Sequence, residues 1–225
     1  MWVPHELTDY NREQRIFICN SLLSRYPRKE FLEQIITGDE KWVTYVNVTR
    51  KGQWLGPGQK PEPTPKGDLH PKKQMLSVWW DFQGIIHWEL LPENTTVNAE
   101  LYCAQLERLR QALIKKRPGP RKIRLLHDIA KPHTALLTRQ TLEKFRWEVL
   151  PHPAYSPDLA PSDYHLFRSL SDDLRGKHFD DEGPLKKYLE DFFNQKHPDF
   201  YRDGIMALEH RWRFVVDNNG AYYVD

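Results

Sequence analysis

The chain has 225 residues, with 33 Lys and Arg against 31 Asp and Glu, and the resulting net charge of +2 excludes a protein held to nucleic acid by bulk charge alone. A hydrophobic fraction of 39% and eight Trp exclude a disordered chain and predict one globular domain. Cys19 and Cys103 form no CxxC pair, and no stretch approaches the roughly 20 apolar residues of a membrane span, so the expectation is a soluble, intracellular protein without a disulfide framework.

Ile16, Cys19, Leu22 and Leu23 recur at helical spacing and predict a helix over 9–26; Phe31, Leu32, Ile35 and Ile36 predict a second over 29–36. Gly38 reads as a turn and 41–48 as a strand, which puts Asp39 at the strand's beginning or just ahead of it. The Pro-, Gly- and Lys-rich stretch 50–73 reads as a long basic loop, either a partner-contacting arm or a connector. Residues 75–80 and 85–91 predict a hairpin turning at Gln83-Gly84 and pairing with the first strand. A helix follows over 98–116 with Leu101, Gln105 or Leu106, Leu109 and Leu113 at helical spacing, ended by Pro118-Gly119-Pro120.

Next come a strand over 122–127 with Asp128 at its end, a helix from Pro132 to Phe145, and a strand over 147–150. After the Pro-rich loop 152–161, Ser162 reads as the cap of a helix to about Arg175, with Asp163 in its first turn. Helices around 182–193 and 204–216 complete the chain. This order predicts the α/β class, a mixed central sheet with helices on its faces.

In such a sheet the residues beyond strand ends share one crevice, so Asp39 and Asp128 become neighbours if their strands are adjacent, and Asp163 can join them. Three carboxylates are hard oxygen donors suited to Mg²⁺ or Mn²⁺; they lack the His/Cys mixture of zinc sites. By spacing alone, such residues are more often turn formers and caps. Asp158 reads as a structural loop residue, and His127, His133, His152 and His165 show no HxxxH or HExxH spacing. Trp54, Trp79, Trp80 and Trp88 read as core more than as base-stacking platforms.

Arg108, Arg110, Lys115, Lys116, Arg117, Arg121, Lys122 and Arg124 form a run without any acid, a candidate DNA-backbone track that an ordinary exposed helix face would imitate. Lys131 and His133 flank the turn after Asp128, where positive charge and a helix start can hold a phosphate.

Four segments carry a resemblance: Trp2-Val3-Pro4-His5-Glu6-Leu7, Thr37-Gly38-Asp39-Glu40-Lys41-Trp42, His127-Asp128-Ile129-Ala130-Lys131-Pro132-His133, and Tyr155-Ser156-Pro157-Asp158-Leu159-Ala160-Pro161-Ser162-Asp163-Tyr164-His165-Leu166-Phe167. With thirty-four residues between Asp128 and Asp163, they resemble mariner transposases over essentially the full chain. The resemblance implies a ribonuclease H-like catalytic domain over 9–225 and an interdomain linker remnant over 1–8, with the family's N-terminal DNA-binding region absent. It implies Asp39, Asp128 and Asp163 as catalytic ligands of two Mg²⁺ or Mn²⁺ ions, with Asp39 shared between them.

As partners it implies transposon-end and target DNA, and a homodimer in which Trp2, Val3, Pro4, His5, Glu6 and Leu7 make linker or subunit contacts. Residence in the nucleus follows from the substrate. Family members usually carry Asn and Arg where this chain has Ile129 and Lys131, and loss of a polar neighbour beside a ligand weakens its support. The rival readings are a catalytically impaired DNA-binding or protein-interaction module, like the mariner domain fused elsewhere to a SET methyltransferase, and a general ribonuclease H-like nuclease.

Overall fold

Strand β1 (Ile35–Thr44) pairs antiparallel with β2 (Lys73–Asp81), and β2 with β3 (Gly84–Leu90), as the hairpin pattern predicts. On its other edge β1 runs parallel to β4 (Arg124–Leu126), and β4 parallel to β5 (Glu148–Val149), closing a five-stranded mixed sheet in the order β3-β2-β1-β4-β5. The computed structural model describes residues 5–25, 30–48, 56, 58–60, 71–93 and 95–224. The basic loop predicted over 50–73 and Trp54 lie almost wholly outside them.

Alternation along the strands builds a core on each face. Ile35, Val43 and Trp80 join one cluster, where α1 (Asp9–Arg25), α7 (Glu182–Gln195) and α8 (Pro198–Asp217) contribute Leu22, Leu189 and Trp212. Their strand neighbours Ile36 and Trp79 join the other, with Leu106 and Leu109 of α3 (Ala99–Lys116) and Leu142 of α5 (Leu136–Phe145). Each large apolar side chain so buried contributes about 1.5–3 kcal/mol relative to exposure. Both faces being covered, adjacent residues of one strand, Ile35 and Ile36 or Trp79 and Trp80, are buried together.

Several predicted boundaries move. The helix expected over 29–36 is only α2 (Glu30–Glu33), because Ile35 and Ile36 enter β1 and bury opposite faces. Gly38 is no turn: it sits in mid-strand opposite Trp79, and a Cβ there would come within 2.2 Å of Trp79 Cδ1. Asp39 therefore lies inside β1, not ahead of it. The helix expected from Pro132 breaks at Ala135 into α4 (Lys131–Thr134) and α5. Ser162 caps nothing; it opens a π-helical turn (Ser162–Phe167) that leads into α6 (Arg168–Asp173), and its Oγ accepts a bond from Trp80 Nε1 at 3.1 Å. Asn98 does cap α3, accepting from the Leu101 N–H at 2.8 Å. Among the described residues no helix is long and apolar enough to cross a membrane.

Candidate active site

Register explains why two remote aspartates meet. Thr37 of β1 lies beside Leu126 of the parallel strand β4, and Asp39 and Asp128 are each two residues further on. Both therefore emerge at the same level from adjacent strands, at the crevice where open α/β sheets carry their sites. Asp163 arrives from the π-helical turn, which the Trp80–Ser162 bond fastens to β2; π-helical turns are rare and recur at functional sites.

The three carboxylates feel one another. Burial raises the Asp39 carboxyl well above the usual range, and the charges of Asp163, Glu40 and Asp128 add to it, against one backbone bond from the Glu40 N–H at 2.7 Å. Burial pushes Asp163 up to about 6, with Lys41 opposing and Asp128 reinforcing. Asp128 behaves otherwise: burial would raise it, but the His133 ring and the Ala130 N–H, at 2.6 and 3.0 Å from Oδ1, hold it down at about 2. The same bond and Glu40 outweigh burial at His133 and lift its imidazole to about 10, so the ring is the cation of this cluster.

Among the described residues, no three His, Cys, Asp or Glu side chains are drawn together tightly enough to ligate an ion as they stand. The chain brings Asp39, Asp128 and Asp163 into electrostatic reach without closing a cage. The donor chemistry nevertheless fits a hard divalent cation: the three groups offer oxygen donors only, and burial with neighbouring carboxylate charge raises the proton affinity of Asp39 and Asp163.

A family model described as Transposase (partial DDE domain) matches residues 44–123. The chain is 48% identical over 225 residues to the mariner Mos1 transposase of Drosophila mauritiana, across 98% of this chain and 65% of that protein, so it spans less than two thirds of that relative's length. The crystal structure of the Mos1 mariner paired end complex with Mn superposes with a TM-score of 0.94 at 48% identity, covering 100% of this chain and 67% of that one. The crystal structure of the catalytic domain of Mos1 mariner transposase superposes at 0.86 with 46% identity, covering 99% of this chain and 100% of that one. The chain belongs to the mariner transposase family.

The sheet of this mariner domain is accordingly ribonuclease H-like, with helices on both faces, as its sequence implies. His133, expected beside a phosphate, has a side chain only 2% exposed, packed against the rings of Tyr102 and His127 at 4.2 and 4.9 Å, with both nitrogens facing carboxylates. Lys131 beside it is exposed.

The basic run is largely neutralised from within. Arg117 grips the fully buried Asp81 with two bonds and Arg121 approaches it at 3.6 Å; Arg108 pairs with Glu89, Arg110 with Glu107, and Lys122 and Arg124 with Glu148. Lys116 donates to the Ile85 carbonyl, and Lys115 is exposed. The run braces the hairpin turn and the β4–β5 edge and is not one open cationic track. Its acids come mostly from other elements, so sequence proximity hid them.

Trp79 and Trp80 are fully buried and Trp88 packs on Phe193, which makes all three core. Asp158 takes a two-pronged bond from the buried Arg15, a structural role. His127 bonds the Tyr102 hydroxyl and His165 the Phe200 carbonyl, both away from any zinc-like grouping. Trp2, Val3 and Pro4 lie outside the described residues; His5 stacks on Tyr155 at 3.9 Å, Glu6 is exposed and Leu7 is buried.

Sequence reasoning missed Glu40 and Lys41. Alternation from Asp39 puts Lys41 on the same strand face, where it lines a cleft of about 700 Å³ with Asp163, Tyr164, Phe167, Arg168 and Tyr223. That period-2 signal was present in the sequence.

Proposed function

We propose that this chain is the catalytic part of a DNA transposase, cutting phosphodiester bonds at transposon ends and joining the freed 3′-hydroxyl to target DNA. Asp39, Asp128 and Asp163 would hold two Mg²⁺ or Mn²⁺ ions. The observation that carries the reading is the register of β1 and β4, which brings Asp39 and Asp128 out at the same level of the sheet's crevice, with Asp163 near enough for the carboxylates to act on one another. When bound, the ions activate a water or 3′-hydroxyl and stabilise the leaving oxygen of an in-line displacement. Asp39, carried on the central strand β1, would be the ligand shared by both ions. Lys41 and Arg168 line the cleft beside Asp163 and attract a phosphate backbone that three bare carboxylates would repel.

In this reading residues 9–225 form the catalytic domain and 1–8 belong to a linker, the partners are transposon-end and target DNA and a second copy of the chain, and the place of work is the nucleus. Ile129 favours a second reading, a catalytically impaired DNA-binding module, because it sets a 52% exposed apolar side chain next to Asp128. Mn²⁺-dependent nicking and strand transfer on transposon-end duplex, compared with plain duplex and with Asp128→Ala, separates the readings. Activity lost in the variant supports the transposase; metal binding and DNA binding without turnover support the impaired module; equal cleavage of both duplexes points to a general nuclease.

A further inference from the structure

His133 occupies a position that the reaction scheme above leaves without a role. It sits five residues after Asp128 on the short helix α4, with its backbone N–H bonded to the Ala130 carbonyl at 2.9 Å and the Ala130 N–H bonded to Asp128 Oδ1. Its Nδ1 is 2.6 Å from that same Oδ1, and its Nε2 is 3.3 Å from Glu40 Oε2. One ring thus joins a carboxylate beyond β4 to a carboxylate of β1, and Glu40 in turn donates its N–H to Asp39 Oδ1 at 2.7 Å. The ring packs against Tyr102 and His127, which also bond each other, the two imidazoles being within 9° of parallel. Glu40 Oε1 is buried without a hydrogen-bond partner, so Oε2 and the His133 ring are its attachment to the site.

We infer that His133 is the positioning residue of this site, fixing Asp128 and tying it through Glu40 to the strand that carries Asp39. The inference rests on the reading of Asp128 as a metal ligand. A carboxylate on a loop after a short strand has two free torsions, and an ion bound between two strand ends requires both ligands at once. His133 removes that freedom at one oxygen, Oδ1, and leaves Asp128 Oδ2 without a hydrogen bond from the described residues. Because both bonds start from one rigid ring, movement of the loop after β4 relative to β1 is restrained by the same group. Outer partners of this kind are worth about 10–100-fold in metal affinity.

The test exploits the two nitrogens. An Asn side-chain amide reaches the place of Nδ1 and preserves the donor to Asp128, whereas a Gln amide reaches the place of Nε2 and preserves only the donor to Glu40. Mn²⁺ binding is titrated by electron paramagnetic resonance at one pH, with metal-free melting measured in parallel, for wild type, His133→Asn, His133→Gln, Glu40→Gln and Asp128→Ala. His133→Gln is expected to weaken Mn²⁺ binding by roughly 10–100-fold, His133→Asn by clearly less, while their metal-free melting temperatures fall alike. A merely structural ring would not make affinity depend on which nitrogen is kept. Equal affinity of the Asn and Gln variants, or wild-type affinity in His133→Gln, overturns the inference. If His133→Gln does not fold, wild-type affinity in both His133→Asn and Glu40→Gln overturns it, and a graded loss supports it. Wild-type Mn²⁺ binding by Asp128→Ala would instead remove the ligand reading on which the inference stands.

Discussion

Arg15 is fully buried, and every N–H of its guanidinium that faces the interior is used: Nε to the Gly220 carbonyl at 2.9 Å, Nη1 to Ser156 Oγ at 2.6 Å and Asp158 Oδ1 at 2.9 Å, Nη2 to Asp158 Oδ2 at 2.7 Å and the Ala221 carbonyl at 3.0 Å. One side chain from α1 therefore joins the end of the chain to the loop that leads into Asp163. In Arg15→Ala the Asp158 carboxylate stays buried and loses its bidentate partner, keeping the Tyr223 N–H at 2.9 Å. Breaking one side of a buried pair costs about 3–5 kcal/mol. At roughly 2–4 °C per kcal/mol for a domain of this size, the melting temperature should fall by about 6–20 °C. Thermal and urea unfolding followed by circular dichroism measure this directly. Arg15→Met combined with Asp158→Asn removes both charges, so its loss should be well below the sum of the single losses. A loss under about 1 kcal/mol in Arg15→Ala, or a double variant no better than additive, would refute the view that this pair locks the loop.

Asp39→Asn should raise the metal-free melting temperature at pH 7, because it removes a charge that burial and the neighbouring Asp163 and Glu40 disfavour, and it should abolish stabilisation by Mg²⁺; a lower metal-free melting temperature contradicts this. Asp163, pushed up to about 6, binds its proton more tightly folded than unfolded, so its contribution to metal-free stability declines as pH rises from the ordinary carboxylate range through about 6. The melting-temperature advantage of Asp163→Asn over wild type should accordingly grow between pH 5 and 7 and shrink when Mg²⁺ is added; an advantage independent of pH speaks against it. Gly38→Ala forces a methyl within 2.2 Å of Trp79 Cδ1 and should cost about 1–3 kcal/mol in urea unfolding, or more if β1 cannot shift; a neutral result would mean that Trp79 moves freely.

The elements legible in the sequence are those whose cause is local. Leu101 to Leu113 repeat at the helical period, Asn98 caps the helix that they form, and the apolar runs around Gln83-Gly84 fold back on each other, all within a few residues of chain. The three aspartates were marked by the motifs around them. Ile35 and Ile36 continued the helical spacing of Phe31 and Leu32, and only the pairing of β1 with β2 and β4 settled them as strand.

What tertiary structure alone decided depends on partners brought from far along the chain. Gly38 became a strand residue because Trp79 needs its space, the cations of 108–124 became braces because Asp81 and Glu148 reach them, and His133 became a bridge because Glu40 lies across the sheet. Periodicity reports which face of an element is buried, since water acts on every residue in turn. Ion pairs and close contacts act between specific atoms over a few ångströms, and their partners carry no periodic trace in the chain.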